Sequence, residues 1–188
     1  LNDVITADGV LARLDYKFFP WGNAYYNTTA CGTSGFDKNV MFCWVKECGG
    51  ASPPADCFTG VKLCQHGTNE CEADTLEACA IDTYPDPADY APFVTCFEGE
   101  NRAQLWAAPT CARHVGLDYA KIASCTANAS RTAALDVAMA KATVALGVAK
   151  LGTPWVLLDG QYVSDTNTLL KQVCAKLEAP LPAGCTAA

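Results

Sequence analysis

Cys64-Gln65-His66-Gly67-Thr68-Asn69-Glu70-Cys71-Glu72-Ala73-Asp74-Thr75-Leu76-Glu77-Ala78-Cys79 sets three cysteines around the start of a helical run. Gln65 and Gly67 suit a tight turn. Glu70 to Ile81 reads as a short amphipathic helix. A cysteine-bounded turn feeding a helix belongs either to a metal module or to a disulfide staple. Zinc modules bring closely paired ligands. This chain has no C-x-x-C pair, and its two histidines are His66 and His114. Its twelve cysteines are Cys31, Cys43, Cys48, Cys57, Cys64, Cys71, Cys79, Cys96, Cys111, Cys125, Cys174 and Cys185. An even number spread over most of the chain argues for an oxidising compartment, because cytosolic thiols stay reduced. Structural disulfides are therefore expected at all twelve, with no metal and no cofactor.

Working outward, the 188 residues are 51% hydrophobic, which suits one domain with a real core. A formal net charge of -7 and a pI near 4.7 give an acidic surface that repels phosphate backbones, so nucleic acid is not an expected partner. The most apolar stretch, Ala133 to Leu151, is broken by Asp136, Lys141 and Lys150 and falls short of the ~20 apolar residues that cross a bilayer. Asn27-Thr28-Thr29 and Asn128-Ala129-Ser130 fit N-x-[ST], so Asn27 and Asn128 are expected to be glycosylated. Residence in the secretory pathway or outside the cell follows.

Residues 1–13 read as the end of a helix. Asp15-Tyr16-Lys17-Phe18-Phe19 alternates and predicts a strand, stopped by Pro20 and Gly22-Asn23. Residues 24–63 read as a disulfide-rich loop, tied by two local bridges among Cys31, Cys43, Cys48 and Cys57, with a short strand over Val40–Val45. Residues 64–150 read mainly as helices: Glu70–Ile81, Arg102–Val115, Tyr119–Thr126, and a long, largely buried Ala-rich helix over Ser130–Lys150. In residues 151–188, Asp159-Gly160 between two apolar runs predicts a hairpin. Ser164-Asp165 then caps a last helix to Leu177, and a tail is pinned by Cys185.

The stretch 64–79 resembles the C-Q-H-G-x-x-E-C-x-x-N-x-x-x-x-C signature of the gamma-interferon-inducible lysosomal thiol reductase family. Cys64, Gln65, His66, Gly67, Glu70, Cys71 and Cys79 agree, and Asp74 stands where the signature has Asn. Pro20-Trp21-Gly22-Asn23-Ala24 and Thr153-Pro154-Trp155-Val156 are similar to two flanking segments of the family. The order of the later cysteines agrees as well. The resemblance runs from about residue 10 to 185 and implies one α/β domain over 1–188. That domain is thioredoxin-like with a helical, disulfide-rich insertion, its first strand and part of its first helix missing from this chain.

The resemblance also implies a thiol–disulfide oxidoreductase that reduces protein disulfides in an acidic or secretory compartment. In such an enzyme a thiolate attacks a substrate disulfide and a second cysteine resolves the mixed disulfide. A cis-proline opposite offers the backbone before it to substrate; Thr153 and Pro154 are the expected substrate-binding pair. The family's C-x-x-C lies upstream of the Pro-Trp-Gly-Asn-Ala segment, and nothing upstream of Cys31 is a cysteine. By the family's spacing the dithiol is expected before Leu1, so no catalytic residue is assigned within this chain. Cys64, Cys71 and Cys79 are expected to staple the insertion rather than react. His66 suits a hydrogen-bonded turn better than a pH-sensing role. The alternative is a non-catalytic relative that serves as a structural or binding subunit. Expected partners are accordingly protein disulfide substrates or a larger extracellular or lumenal assembly.

Overall fold

The computed structural model describes residues 1–32, 35–99, 103–147 and 152–186. It is mainly helical, with α3 (Thr68–Thr83) at its centre, contacted by α4 (Pro87–Glu98), α6 (Tyr119–Thr126) and α7 (Ala129–Val144). Two short antiparallel ladders accompany the helices: β1 (Tyr25–Tyr26) with β2 (Lys62–Leu63), and β3 (Leu157–Leu158) with β4 (Gln161–Tyr162).

Three cores hold the chain. The first is helical, with Leu76, Phe93, Phe97 and Ile122 inside it. The second is aromatic and lies under residues 21–63. Trp21 stacks on Trp44, Tyr26 packs on both, and Phe58 meets Trp44 edge-on. Both buried indoles are satisfied: Trp21 Nε1 donates to Ala24 O at 2.7 Å and Trp44 Nε1 to Cys57 O at 2.9 Å. The third core joins the β3–β4 hairpin to α8 (Leu169–Cys174) through Val163, Leu169 and Val173. The first helix, α1 (Asn2–Thr6), fastens the third core to the first by placing Val4 in one and Ile5 in the other.

Six disulfides close the structure, and no described cysteine is free. Cys31–Cys43 and Cys48–Cys57 tie the 24–63 segment to the middle and the C-terminal end of α2 (Lys38–Cys48). Cys79–Cys125 links α3 to α6, and Cys96–Cys111 links α4 to α5 (Ala108–His114). Cys174–Cys185 pins α9 (Ala183–Thr186) under α8.

Several expectations need correction. Asp15–Phe19 is not a strand, and among the described residues it does not lie in a sheet with Trp155–Leu158. Its alternation is real but serves helices. Tyr16 packs on Tyr90 and its carbonyl accepts from Tyr90 Oη at 3.1 Å, Phe18 packs on the helical core, and Asp15 and Lys17 pair in solvent. Among the described residues the mixed sheet of a thioredoxin-like domain is therefore not seen; they form a helical, disulfide-rich body with few strands.

Val40–Val45 is part of α2 and not a strand. Asp37 caps that helix, its carboxylate accepting from Asn39 N at 2.7 Å and Val40 N at 3.2 Å. Met41, Trp44 and Cys48 recur at helical spacing on the buried side. The helix expected over Arg102–Val115 is, in its described part, a 3-10 turn (Leu105–Ala107) followed by α5, with Pro109 in the first turn where its missing N–H costs nothing. The expected helix Ser130–Lys150 runs as α7 to Val144, and residues 148–150 lie outside the described residues. Ala140, Thr143 and Val144 are buried, but most of α7 is partly or fully exposed, because alanine adds little apolar area and Arg131 and Lys141 turn to solvent.

Helix α4 was not resolved by the sequence reading, although Asp86-Pro87 is an N-cap followed by proline at the first position. The helix expected to run to Leu177 is α8, which ends at Cys174. The hairpin forms as its turn residues require, with Asp159 at φ 49° and Gly160 at φ 76°.

Candidate functional site

The signature loop sits where the aromatic core meets the first turn of α3. Cys64–Cys71 closes the loop over seven residues. Gly67 has φ 91° and ψ -162°, a conformation essentially restricted to glycine. Glu70 reaches back from the first turn, and its Oε2 accepts from His66 N and lies 3.1 Å from His66 Nδ1. This carboxylate also complements the positive end of the helix. Gln65 is held by Asn23, whose Nδ2 donates to Gln65 Oε1 at 2.8 Å. The Pro-Trp-Gly-Asn-Ala segment and the signature are thus two halves of one joint. Cys79, the last signature position, is fully buried in its bridge to Cys125.

The departure at position 74 builds something further. Lys62 on β2 extends its ammonium inward over the Trp21 ring, 4.5 Å from the centroid. There it lies 3.2 Å from Asp74 Oδ2 and 3.3 Å from Asp136 Oδ1 on α7. Thr75 Oγ1 donates to the same Asp136 carboxylate at 3.1 Å. Burial pushes the Asp74 carboxyl up to about 6 despite Lys62, and the Glu70 and Asp136 charges add to that. The ammonium is shared between two carboxylates, so it compensates neither fully. One turn on, Glu77 is 1% exposed, and burial, followed by the Glu98 and Asp74 charges, holds it well above the usual carboxyl range. Its carboxyl shares a hydrogen bond with Glu98, which reaches in from the rim with its stem exposed and is also raised by burial.

An open hollow of about 460 Å³ lies beside this network, between Cys71, Thr75, Leu76, Leu105, Tyr119 and Asp136. Its polar atoms at Lys62, Thr75 and Asp136 already satisfy one another. Among the described residues no group of three His, Cys, Asp or Glu side chains is placed to hold a metal.

Thr153 and Pro154 lie elsewhere, on the approach to β3, and do not meet the signature's core. The Thr153–Pro154 bond is cis. Both residues are exposed and line a groove of about 410 Å³ with Gly152, Trp155 and Tyr162. Trp155 and Tyr162 stack with centroids 4.0 Å apart. His66 and His114 are exposed, and so are Asn27 and Asn128; Asn128 also caps α7 through Arg131 N at 3.1 Å. Sequence reasoning missed Asn23, Lys62, Glu98 and Asp136. The spacing of Glu70, Asp74 and Glu77 at i, i+4 and i+7 did put three acids on one helix face. A lone lysine between Val61 and Leu63 was the remaining clue.

Residues 54–115 match the family model described as "Gamma interferon inducible lysosomal thiol reductase (GILT)". Over this segment the chain is similar to the GILT family. It is similar to a gamma-interferon-responsive lysosomal thiol protein of Arabidopsis thaliana, 33% identical over 115 residues, which are 59% of this chain and 47% of that protein. A GILT-like protein of Caenorhabditis elegans is 31% identical over 124 residues, 65% of this chain and 37% of that protein. Another from the same organism is 27% identical over 123 residues, 65% of this chain and 56% of that protein. The matches thus span about half the length of these curated relatives. No solved structure matches the chain. Among the described residues no helix is long and apolar enough to cross a membrane.

Proposed function

We propose that this chain is the scaffold and substrate-facing part of a GILT-like thiol–disulfide oxidoreductase that reduces protein disulfides in an acidic compartment of the secretory route. The observation that carries the reading is the open Thr153–Pro154 groove beside a body whose described cysteines are all closed in disulfides. An extended substrate segment pairs with the free backbone at Thr153, while Trp155 and Tyr162 support one flank. In the reaction a thiolate forms a bond to one substrate sulfur and expels the other as a thiolate, which takes a proton. A second thiolate then attacks the mixed disulfide, leaving the enzyme dithiol oxidised and the substrate reduced. The proposal assigns that dithiol to sequence preceding Leu1 in the native protein, because bridges such as Cys79–Cys125 serve as core staples. Glycans at Asn27 and Asn128 belong to the same reading, supported by their exposure.

The test is the N-terminal sequence and intact mass of the native protein, together with its reduction of a protein disulfide in acid. A C-x-x-C ahead of Leu1 and turnover abolished by alkylating it support the proposal. A mature end at Leu1 without turnover refutes it and leaves the non-catalytic reading, a structural or binding subunit of a larger lumenal assembly.

A further inference from the structure

Glu70, Asp74 and Glu77 form a column along one face of α3, and each element packed against that face adds a charged or titratable group. Strand β2 supplies Lys62 to Asp74 at 3.2 Å, and α7 supplies Asp136 to the same ammonium. Helix α4 brings Glu98 against Glu77. Tyr16, from the segment before β1, lies near Glu77 and Tyr90. His66 faces Glu70 at the open end. Glu77 Oε1 and Tyr16 Oη are both buried without a hydrogen-bond partner. Five carboxyls therefore lie along this face: Asp74 and Asp136 share the buried Lys62 ammonium, Glu70 meets the exposed His66 imidazole, and Glu77 and Glu98 meet each other.

We propose that this acid column is a pH-operated clamp that closes α3 against α4, β2 and α7 in acid and loosens them as the pH rises toward neutral. In acid, Glu77 is the proton donor in its bond to Glu98, and neutral Asp74 leaves Lys62 to Asp136 alone. The column then carries little net charge. As the pH rises toward neutral, Asp74 gives up its proton beside Glu77, Glu98 and Asp136, with one ammonium to offset the charge. Burial makes that repulsion costly, and the elements separate to admit water. The signature loop at the head of α3 is freed with them. The body is thereby rigid in an acidic lumen and pliable outside it. Asp74, standing where the family signature has Asn, adds one titrating group to the column.

The linkage has a definite sign. A carboxyl bound to its proton more tightly in the folded state stabilises that state below its unfolded pKa, and this is lost as the pH climbs to the folded value. Asp74, raised from 3.8 to about 6, alone shifts the opening equilibrium by about 100-fold between those limits. Glu77, also raised by burial, adds to the loss with the same sign.

Hydrogen exchange on the full chain with its disulfides intact tests the clamp, with rates corrected for intrinsic exchange. Amides of α3 and α4 should lose about 100-fold protection between about pH 4 and about pH 7.5. The Asp74→Asn/Glu77→Gln variant should lose less than about 5-fold, and an exposed control, Asp15→Asn, should behave as the parent. Protection independent of pH in the parent, or an equal loss in the double variant, overturns the proposal. If the double variant fails to fold, infrared spectroscopy of the parent decides. A protonated-carboxyl band must persist near about pH 6 and vanish in step with the loss of protection. Its absence, or its titration out of step, overturns the clamp.

Discussion

Replacing Lys62 by Met removes the ammonium and keeps most of the side-chain volume. The Lys62 side chain is 9% exposed, and those of Asp74 and Asp136 are 11% and 17% exposed. At an effective dielectric of about 20, each of these pairs has a gross attraction of about 5 kcal/mol, most of it offset by the desolvation of three charges. What survives in a truncation is the cost of leaving buried carboxylates without their partner, about 3–5 kcal/mol. Lys62→Met should therefore cost about 3–4 kcal/mol at pH 7 in urea denaturation without reductant. The penalty should depend on pH. Without Lys62 the Asp74 carboxyl rises further above about 6, so acidification neutralises it and removes part of the cost. Near about pH 5 the loss should fall to about 2 kcal/mol. Adding Asp74→Asn to Lys62→Met should recover about 1–2 kcal/mol at pH 7, because one unpaired carboxylate has gone. A loss below about 1 kcal/mol at pH 7, or one that grows in acid, would refute the reasoning.

Other outcomes follow from the same joint. Gly67→Ala puts a Cβ on a backbone at φ 91°, and should cost about 1–3 kcal/mol, read as a fall in Tm. Losing Cys79–Cys125 through paired alanines opens a closed loop spanning 46 residues and should cost about 4 kcal/mol in the chain-entropy account, measured by urea denaturation. Asn23→Ala should cost about 1 kcal/mol by removing the donor to Gln65, and should raise hydrogen exchange in residues 64–67.

Much of the local structure was legible because its causes are local. Asp159-Gly160 has the backbone freedom a two-residue turn needs, and Tyr119–Thr126 is bounded by Asp118 as its cap. The helix over Thr68–Thr83 follows from its spacing and the signature turn. What failed depended on who stands next door. Period two in Asp15–Phe19 states only that alternate side chains are buried; here a helix, not a strand, buries them. Alanine in Ala129–Val144 records helix propensity and says nothing of depth. In the 24–63 segment the cysteines drew the eye from Asp37, Met41, Trp44 and Cys48, which together define α2. The site divides the same way. The signature residues were visible in the sequence, but their meeting with Asn23, Lys62, Glu98 and Asp136 joins residues up to 74 positions apart.

Gly67 shapes the turn, Glu70 holds the His66 amide, Gln65 bonds to Asn23, and Cys64, Cys71 and Cys79 are closed. Each of these positions thus has a mechanical partner in the described structure.

The most direct measurement is disulfide turnover by residues 1–188 alone in acid, with a small-molecule thiol as reductant and alkylation followed by peptide mapping. The account predicts no turnover and no alkylated cysteine, with Cys64 still joined to Cys71. Turnover that stops when Cys64 or Cys71 is alkylated would contradict it.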